Sequence, residues 1–237
     1  VTGVQTCALP ICWFSSGAAS AVATKLTLSK YDPERVVICR IDPGSEHPDN
    51  VRFAKDCADW FGHPIVNMRS DKYEDTWAVW EGVRYIAGAA GAPCTRELKR
   101  RVRYQFERPT DIQVFGYTTE ERDRADDFRD QNPGVTLETP LIDNDLTKED
   151  TLAIIDRAGI ELPAMYRLGY HNNNCIGCPK GGMGYWNRIR IDFPEVFARR
   201  AAQERDIGAT CIRENGRPLW LDELDPNRGD KIGRAHV

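Results

Sequence analysis

Short apolar runs alternate with amphipathic stretches through the first half of the chain. "RVVICRID" (35–42), "PIVNM" (64–68) and "IQVFGYT" (112–118) are β-branched and apolar without strict alternation, the pattern of strands buried on both faces. A further short strand is expected in "VTLETPL" (135–141), and a first strand should end at Phe14, ahead of a helix beginning near Ala19. "PDNVRFAKDCADWFG" predicts a helix with Val51, Ala54, Cys57, Ala58 and Phe61 on one face, Asp49 or Asn50 as its cap and Gly62 as its stop. "TLSKYDPE" closes the first helix, while "TWAVWEGVRYIAGAAG" and "TRELKRRVRYQF" predict two more. Strands alternating with helices imply βαβ units and a parallel sheet.

From Leu146 the pattern changes. "LTKEDTLAIIDRAG" opens on a Thr cap with an Asp three residues on, and stops at Gly159. A loop rich in Gly, Asn and Pro follows (168–187), then a last helix, "PEVFARRAAQERDIG". The expected organisation is an α/β core over 12–145 with a helical, cysteine-bearing extension over 146–231. Both ends need separate treatment. Residues 1–11 and 232–237 back-translate to codon strings of which the second lies within the reverse complement of the first. That marks both as translated sequencing adapter, so they are set aside from fold reasoning.

Composition adds limits. Hydrophobic content of 41% and charged content of 29% describe a globular protein of ordinary make-up. A net charge of −4 gives no global nucleic-acid signal, and no apolar run approaches the roughly 18 residues of a membrane span. Of the eight cysteines, Cys7 and Cys12 fall in or beside the adapter, and Cys39 and Cys57 fall on apolar faces as core. The chain is long for a disulfide scaffold, so a reducing cytosol is expected.

The chemistry-bearing candidates are few. "SSGAAS" (15–20) sits where a strand gives way to a helix. Its small residues make either a tight turn or a loop whose backbone N–H groups approach an anion at the helix N-terminus. Asp42, Gly44 and Glu46 follow a strand end, as a nucleotide contact or a capped turn. His47 beside them reads mainly as packing. Arg96, Lys99 and Arg103 share a helix face, as a solvated basic face or an oxyanion clamp. Arg122 and Arg124 follow Glu121, either to bind phosphate or to pair with neighbouring acids. Cys175 and Cys178 form a CxxC, half of a four-ligand metal site or a redox pair, with Cys94 and Cys211 as completers or buried thiols. Lys180, Gly181 and Gly182 follow, as a phosphate contact or a turn, and Tyr185 and Trp186 read as packing.

Four ordered segments carry a family resemblance. "SSGAAS" resembles the SGGxDS loop of PP-loop, adenine-nucleotide α-hydrolase-like enzymes, with Ser15, Gly17 and Ser20 matching, Ser16 in place of Gly and Ala19 in place of Asp. "IDPGSEHPDN", "GYTTEERDRADDF" and "PLIDNDLTKED…AGIELPAMYRLGYHNNNCIGC" are similar to later segments of the phosphoadenosine phosphosulfate (PAPS) reductase family, particularly its phage-like members. The resemblance covers most of 13–187. It implies a Rossmann-like core, with Ser15, Ser16, Gly17 and Ser20 on the phosphates of an adenine nucleotide (PAPS or ATP) and Asp42, Gly44 and Glu46 near its adenosine. It implies catalytic roles for Lys99 and Arg122, and an iron–sulfur (4Fe–4S) or zinc site at Cys94, Cys175, Cys178 and Cys211. A thioredoxin-type reductant would serve a sulfonucleotide reductase. An adenylating, Mg-dependent sulfur-transfer enzyme and a non-catalytic nucleotide-binding module are the alternatives.

Overall fold

The structure is a computed structural model that describes residues 8–88 and 91–229. In chain order it runs β1 (Pro10–Trp13), α1 (Ala18–Lys30), β2 (Val37–Ile41), α2 (Asn50–Phe61), β3 (Val66–Met68), α3 (Thr76–Val83), α4 (Pro93–Thr95) and α5 (Arg101–Phe106). Then follow β4 (Ile112–Val114), α6 (Arg122–Gln131), β5 (Thr136–Glu138), α7 (Pro140–Asp143), α8 (Lys148–Arg157) and α9 (Ala164–Arg167). α10 (Met183–Asp192), α11 (Pro194–Ile207), β6 (Ile212–Glu214) and β7 (Arg217–Leu219) complete the order. Of the two segments expected to be adapter, 1–7 and 232–237 lie outside the described residues, while Pro10 and Ile11 form half of β1.

The expected parallel α/β fold is present. Five strands pair in the order β3-β2-β1-β4-β5, every pair parallel. β1 is the middle strand and all four of its residues are buried. Apolar character is enough for such a strand, because its partners supply every backbone hydrogen bond. On one face Cys12, Phe14, Ile38 and Val114 join the α1, α2 and α8 residues Ala21, Val22, Phe53, Cys57 and Ile155 in one core. On the other, Ile11, Trp13 and Cys39 pack with Met68 and Phe115. Trp13 satisfies its buried indole by donating to Gln113 Oε1 at 2.7 Å.

By density of contacts the chain forms two units. The first comprises 1–41, 48–68 and 103–163 and holds the sheet; the second comprises 42–47, 69–102 and 164–237. α8 falls in the first because it packs against α1. The second unit has its own cores, one around Met165, Tyr170, Trp186, Ile189 and Leu221, the other around Val79, Trp80, Ile86 and Leu98.

Some expected details differ. On α2 the buried residues are Asn50, Phe53, Cys57 and Phe61, while Val51 is 66% exposed. Asp49 caps nothing with its side chain, which instead pairs with Arg52 at 2.7 Å, and Gly62 stops the helix at φ +64 as expected. α3 stops at Val83, where Arg84 turns left-handed (φ +52), so 85–88 are not helical. The Gly/Asn loop yields to α10 already at Met183. The extension is not purely helical: β6 and β7 form an antiparallel hairpin through Asn215 (φ +50) and Gly216 (φ +79). Among the described residues no helix is long and apolar enough to cross a membrane.

Candidate functional site

The 15–20 loop joins the middle strand to α1, at the carboxyl end of the sheet. The strand order reverses between β1 and β4, and in such sheets the crevice at that switch point is where ligands bind. Ser15 N–H donates to Ser20 Oγ at 3.0 Å, and Ser20 Oγ donates to Gly17 O at 2.9 Å, so the serines tie the turn together. Gly17 occupies the N-cap without any side-chain cap, and the first turn of α1 carries no acid. The residue in left-handed backbone is Ser16 (φ +57), not the glycine (φ −109). Ser16 is fully buried and its Oγ accepts from Arg40 Nε at 2.7 Å. Gly116, two residues after β4, lies against the start of α1: a Cβ there would fall 2.8 Å from the backbone N and Cα of Ser20.

Arg122 is more than half exposed and stands 4.0 Å from Asp145. Arg124 pairs with Glu121 and lies over the Tyr117 ring. Arg103 is held by Glu107 at 3.1 Å and covers the rings of Tyr104, Phe115 and Phe128, which makes it packing rather than clamp.

In the second unit, the turn after β2 is built by its own side chains. Asp42 Oδ1 accepts from Gly44 N–H at 2.9 Å and Oδ2 pairs with Arg69 at 3.1 Å. Gly44 (φ +71) is required twice over, since a Cβ would also fall 2.1 Å from Glu74 O. The Ser45 carbonyl accepts from Ile176 N–H at 2.9 Å, which fastens this turn to the CxxC. The Glu46 side chain is 5% exposed and stands 3.8 Å from Lys99 Nζ. His47 meets Phe193 edge to face, 6.1 Å between centroids.

The helix through α4 and α5 carries a π-helical segment over Arg96–Arg100, a feature frequent at functional sites. Arg96, Arg101 and Lys72 all stand within 4 Å of the buried Glu97, which leaves Lys99 turned to other partners. Burial pulls the Lys99 ammonium down, but Cys175, Glu46, Cys178 and Cys94 push it up and prevail. Three of the four candidate thiols thus act on one ammonium, and Cys211 is acted on by Cys178. Burial pushes Cys175 up to about 12, opposed by Lys99, and raises Cys178 and Cys211 as well. Among the described residues no three His, Cys, Asp or Glu side chains form a group able to hold a metal ion.

The CxxC conformation is set by Tyr185. Its hydroxyl accepts from Cys178 N–H at 2.9 Å and donates to Cys175 O at 3.0 Å, while Gly177 turns at φ +74. Lys180, Gly181, Tyr185 and Cys178 line a cleft with Tyr170, His171, Asn172 and Asn174. Gly181 is dictated by packing, since a Cβ would strike the Tyr185 ring at 1.9 Å. Cys211 is positioned by Glu204, which accepts its N–H and that of Leu221 (2.8 Å).

Sequence reasoning missed Arg200, Glu204 and the clamp role of Tyr185. Arg200 and Glu204 are wholly buried, at i+3 and i+7 from Phe197 with Ala201 between them. They lie on the apolar stripe of α11, and that phase was the available signal.

No family model matches the chain. It is 29% identical over 102 residues to an uncharacterized 37.8 kDa protein of Escherichia phage 186, a match covering 43% of this chain and 30% of that protein. The chain thus spans under a third of that relative.

Proposed function

We infer that this chain is an adenine-nucleotide enzyme of the PAPS reductase kind, acting on a sulfonucleotide. The observation that carries the reading is the 15–20 loop, lying between the middle strand and an uncapped helix N-terminus at the switch point of the sheet. Backbone N–H groups at the start of α1 would hold the phosphates, with the Ser15 and Ser20 hydroxyls beside them. Lys99 would offset negative charge developing on sulfate or phosphate oxygens. Arg122, exposed and only distantly paired, reorients at low cost onto such oxygens. Asp42 and Gly44 shape the turn that leaves β2, where they and Glu46 would face the adenosine, and Glu46 stands 3.8 Å from Lys99 Nζ.

The iron–sulfur or zinc site expected at Cys94, Cys175, Cys178 and Cys211 is not part of this reading, because among the described residues no three Cys, His, Asp or Glu side chains form a group able to hold a metal ion. A thioredoxin-type reductant in a reducing cytosol completes this reading. The sulfonucleotide reading is preferred over Mg-dependent adenylation because the first turn of α1 offers no carboxylate to a divalent ion.

Titration calorimetry with PAPS, adenosine phosphosulfate and ATP, with and without Mg²⁺, tests the loop. Gly17 has an extended backbone (φ −109) that valine also adopts, so Gly17→Val reports on space at the loop rather than on strain. Unchanged affinity in the folded variant would remove the assignment. Sulfite release marks a reductase, AMP with pyrophosphate marks adenylation, and binding without product marks an accessory module.

A further inference from the structure

Cys175 and Cys178 stand at the two ends of a turn whose inner residues are Ile176 and Gly177. Gly177 takes the left-handed place in it, at φ +74. The ends of such a turn lie within about 7 Å of each other, Cα to Cα, and a disulfide bridges about 4.4–6.8 Å. The turn is also fixed from outside itself. The Tyr185 hydroxyl joins Cys178 N–H to Cys175 O, at 2.9 and 3.0 Å. Ile176 N–H donates to Ser45 O at 2.9 Å, and a Cβ on Gly177 would fall 3.0 Å from Val196 Cγ1. The two thiols are therefore held at short range before any bond joins them, and closing the ring orders little further chain.

Both thiols are half-buried, whereas Cys39, Cys57 and Cys94 are buried. Cys178 lines the open cleft together with His171, Asn174 and Lys180, so it is the thiol a reagent meets first. The donors of a metal site are not assembled around the pair, which leaves the two sulfurs to each other. Burial raises both thiols, against the pull of Lys99. Exchange is accordingly slow, and the reduced pair gains little stability as thiolate, which makes the disulfide hard to reduce once formed.

We propose that Cys175 and Cys178 are a redox-active dithiol that exchanges with low-molecular-weight disulfides. Cys178 gives its proton to solvent and attacks one sulfur of the incoming disulfide. The other sulfur leaves with the electron pair of the broken S–S bond and takes up a proton. Cys175, deprotonated in turn, attacks the Cys178 sulfur of the mixed disulfide and expels the second thiol in the same way. The two cysteines lose two electrons and two protons, and the incoming disulfide gains them. This chemistry needs no nucleotide, so it stands or falls apart from the 15–20 loop.

The test equilibrates the chain, treated with chelator, in buffers of reduced and oxidised glutathione, starting both from the reduced chain and from the chain oxidised with diamide. Thiols are then blocked with iodoacetamide in denaturant. Trypsin leaves both cysteines on one peptide, Leu168–Lys180, in which a closed disulfide reads as two hydrogens lighter and unalkylated. In oxidised glutathione that form should exceed the glutathione adduct of the same peptide by about tenfold or more, because a neighbouring thiol outcompetes millimolar glutathione. Cys39 and Cys57 should stay reduced. Cys175→Ser should hold glutathione on Cys178 about ten times more than the parent does, since nothing then expels it. A parent peptide carrying two alkylated cysteines from both starting points overturns the proposal. So does a parent that holds as much glutathione as Cys175→Ser. The parent measurement decides even if the variant does not fold.

Discussion

Arg40 reaches from β2 beneath the loop that follows β1 and donates from Nε to Ser16 Oγ across 2.7 Å, both residues being almost wholly buried. The bond explains why a serine with a left-handed backbone stands there: its hydroxyl compensates the strain of φ +57 by accepting from a buried guanidinium. Ser16→Ala keeps the strain and loses the bond, so unfolding in urea should show a loss of about 1–3 kcal/mol. Ser16→Gly loses the same bond but relieves the backbone, and should be less damaging by about 1 kcal/mol. Equal losses for the two would mean that the left-handed geometry carries no cost.

Gly116 should be intolerant of even one methyl group. Its Cβ would meet the backbone of Ser20, which cannot rotate away, so Gly116→Ala has to displace the start of α1. Overpacking of this kind costs about 1–3 kcal/mol. Nucleotide affinity should fall with it, because the same N–H groups form the loop. Gly62→Ala is the control: it is strained by φ +64 but has nothing within 4 Å. It should lower the melting temperature and leave affinity unchanged. Calorimetric titration of both variants with PAPS separates the outcomes.

The sheet and the 15–20 loop were legible because buried parallel strands are nearly all apolar and the loop is nearly all small. The CxxC was legible as a pair, but how Tyr185 holds it was not, since a hydroxyl bridging two backbone groups leaves no periodic trace. Arg200 was missed because an arginine in a charged helix carries no sign of burial by itself. Only its phase with Phe197 and Ala201 places it inside. The hairpin of β6 and β7 was announced by Asn215-Gly216, the pair that favours two left-handed residues in a row, and was overlooked within a region read as helical. Val51 was assigned to the wrong face because several phases of α2 are apolar, and tertiary contact selected the one containing Phe53.

Lys148 gives the fold a pH signature. Burial depresses its ammonium from the ordinary 10.5 to about 8, partly offset by Glu120. A lysine lowered in the folded state opposes folding while both states are protonated, below about pH 8. Between about 8 and 10.5 the unfolded chain keeps a proton that the folded chain has shed, so stability rises with pH. Lys148→Gln should therefore melt higher than the parent at pH 7, and the gap should narrow by pH 9.5. A gap that stays constant with pH would show that Lys148 keeps its ordinary affinity for the proton.

Tyr185→Phe isolates the clamp on the CxxC. The phenyl ring keeps its place against Gly181, while Cys178 N–H and Cys175 C=O both lose the hydroxyl that joins them. Leaving such groups unpaired costs about 1–3 kcal/mol, and the cost falls on local opening of the hairpin as much as on global stability. At 1.4 kcal/mol the open population rises about tenfold. Iodoacetamide should then label Cys175 and Cys178 about ten times faster in the metal-free variant than in the metal-free parent. Cys39 and Cys57 serve as internal references, being fully buried and pushed up to about 12 by that burial, and their labelling should not change. Peptide mass spectrometry reads all four sites in one sample. Acceleration at Cys39 and Cys57 as well would mean that the variant loosens the whole fold. No acceleration at Cys175 and Cys178 would mean that the hairpin is held by Gly177 and the Ser45–Ile176 bond rather than by Tyr185.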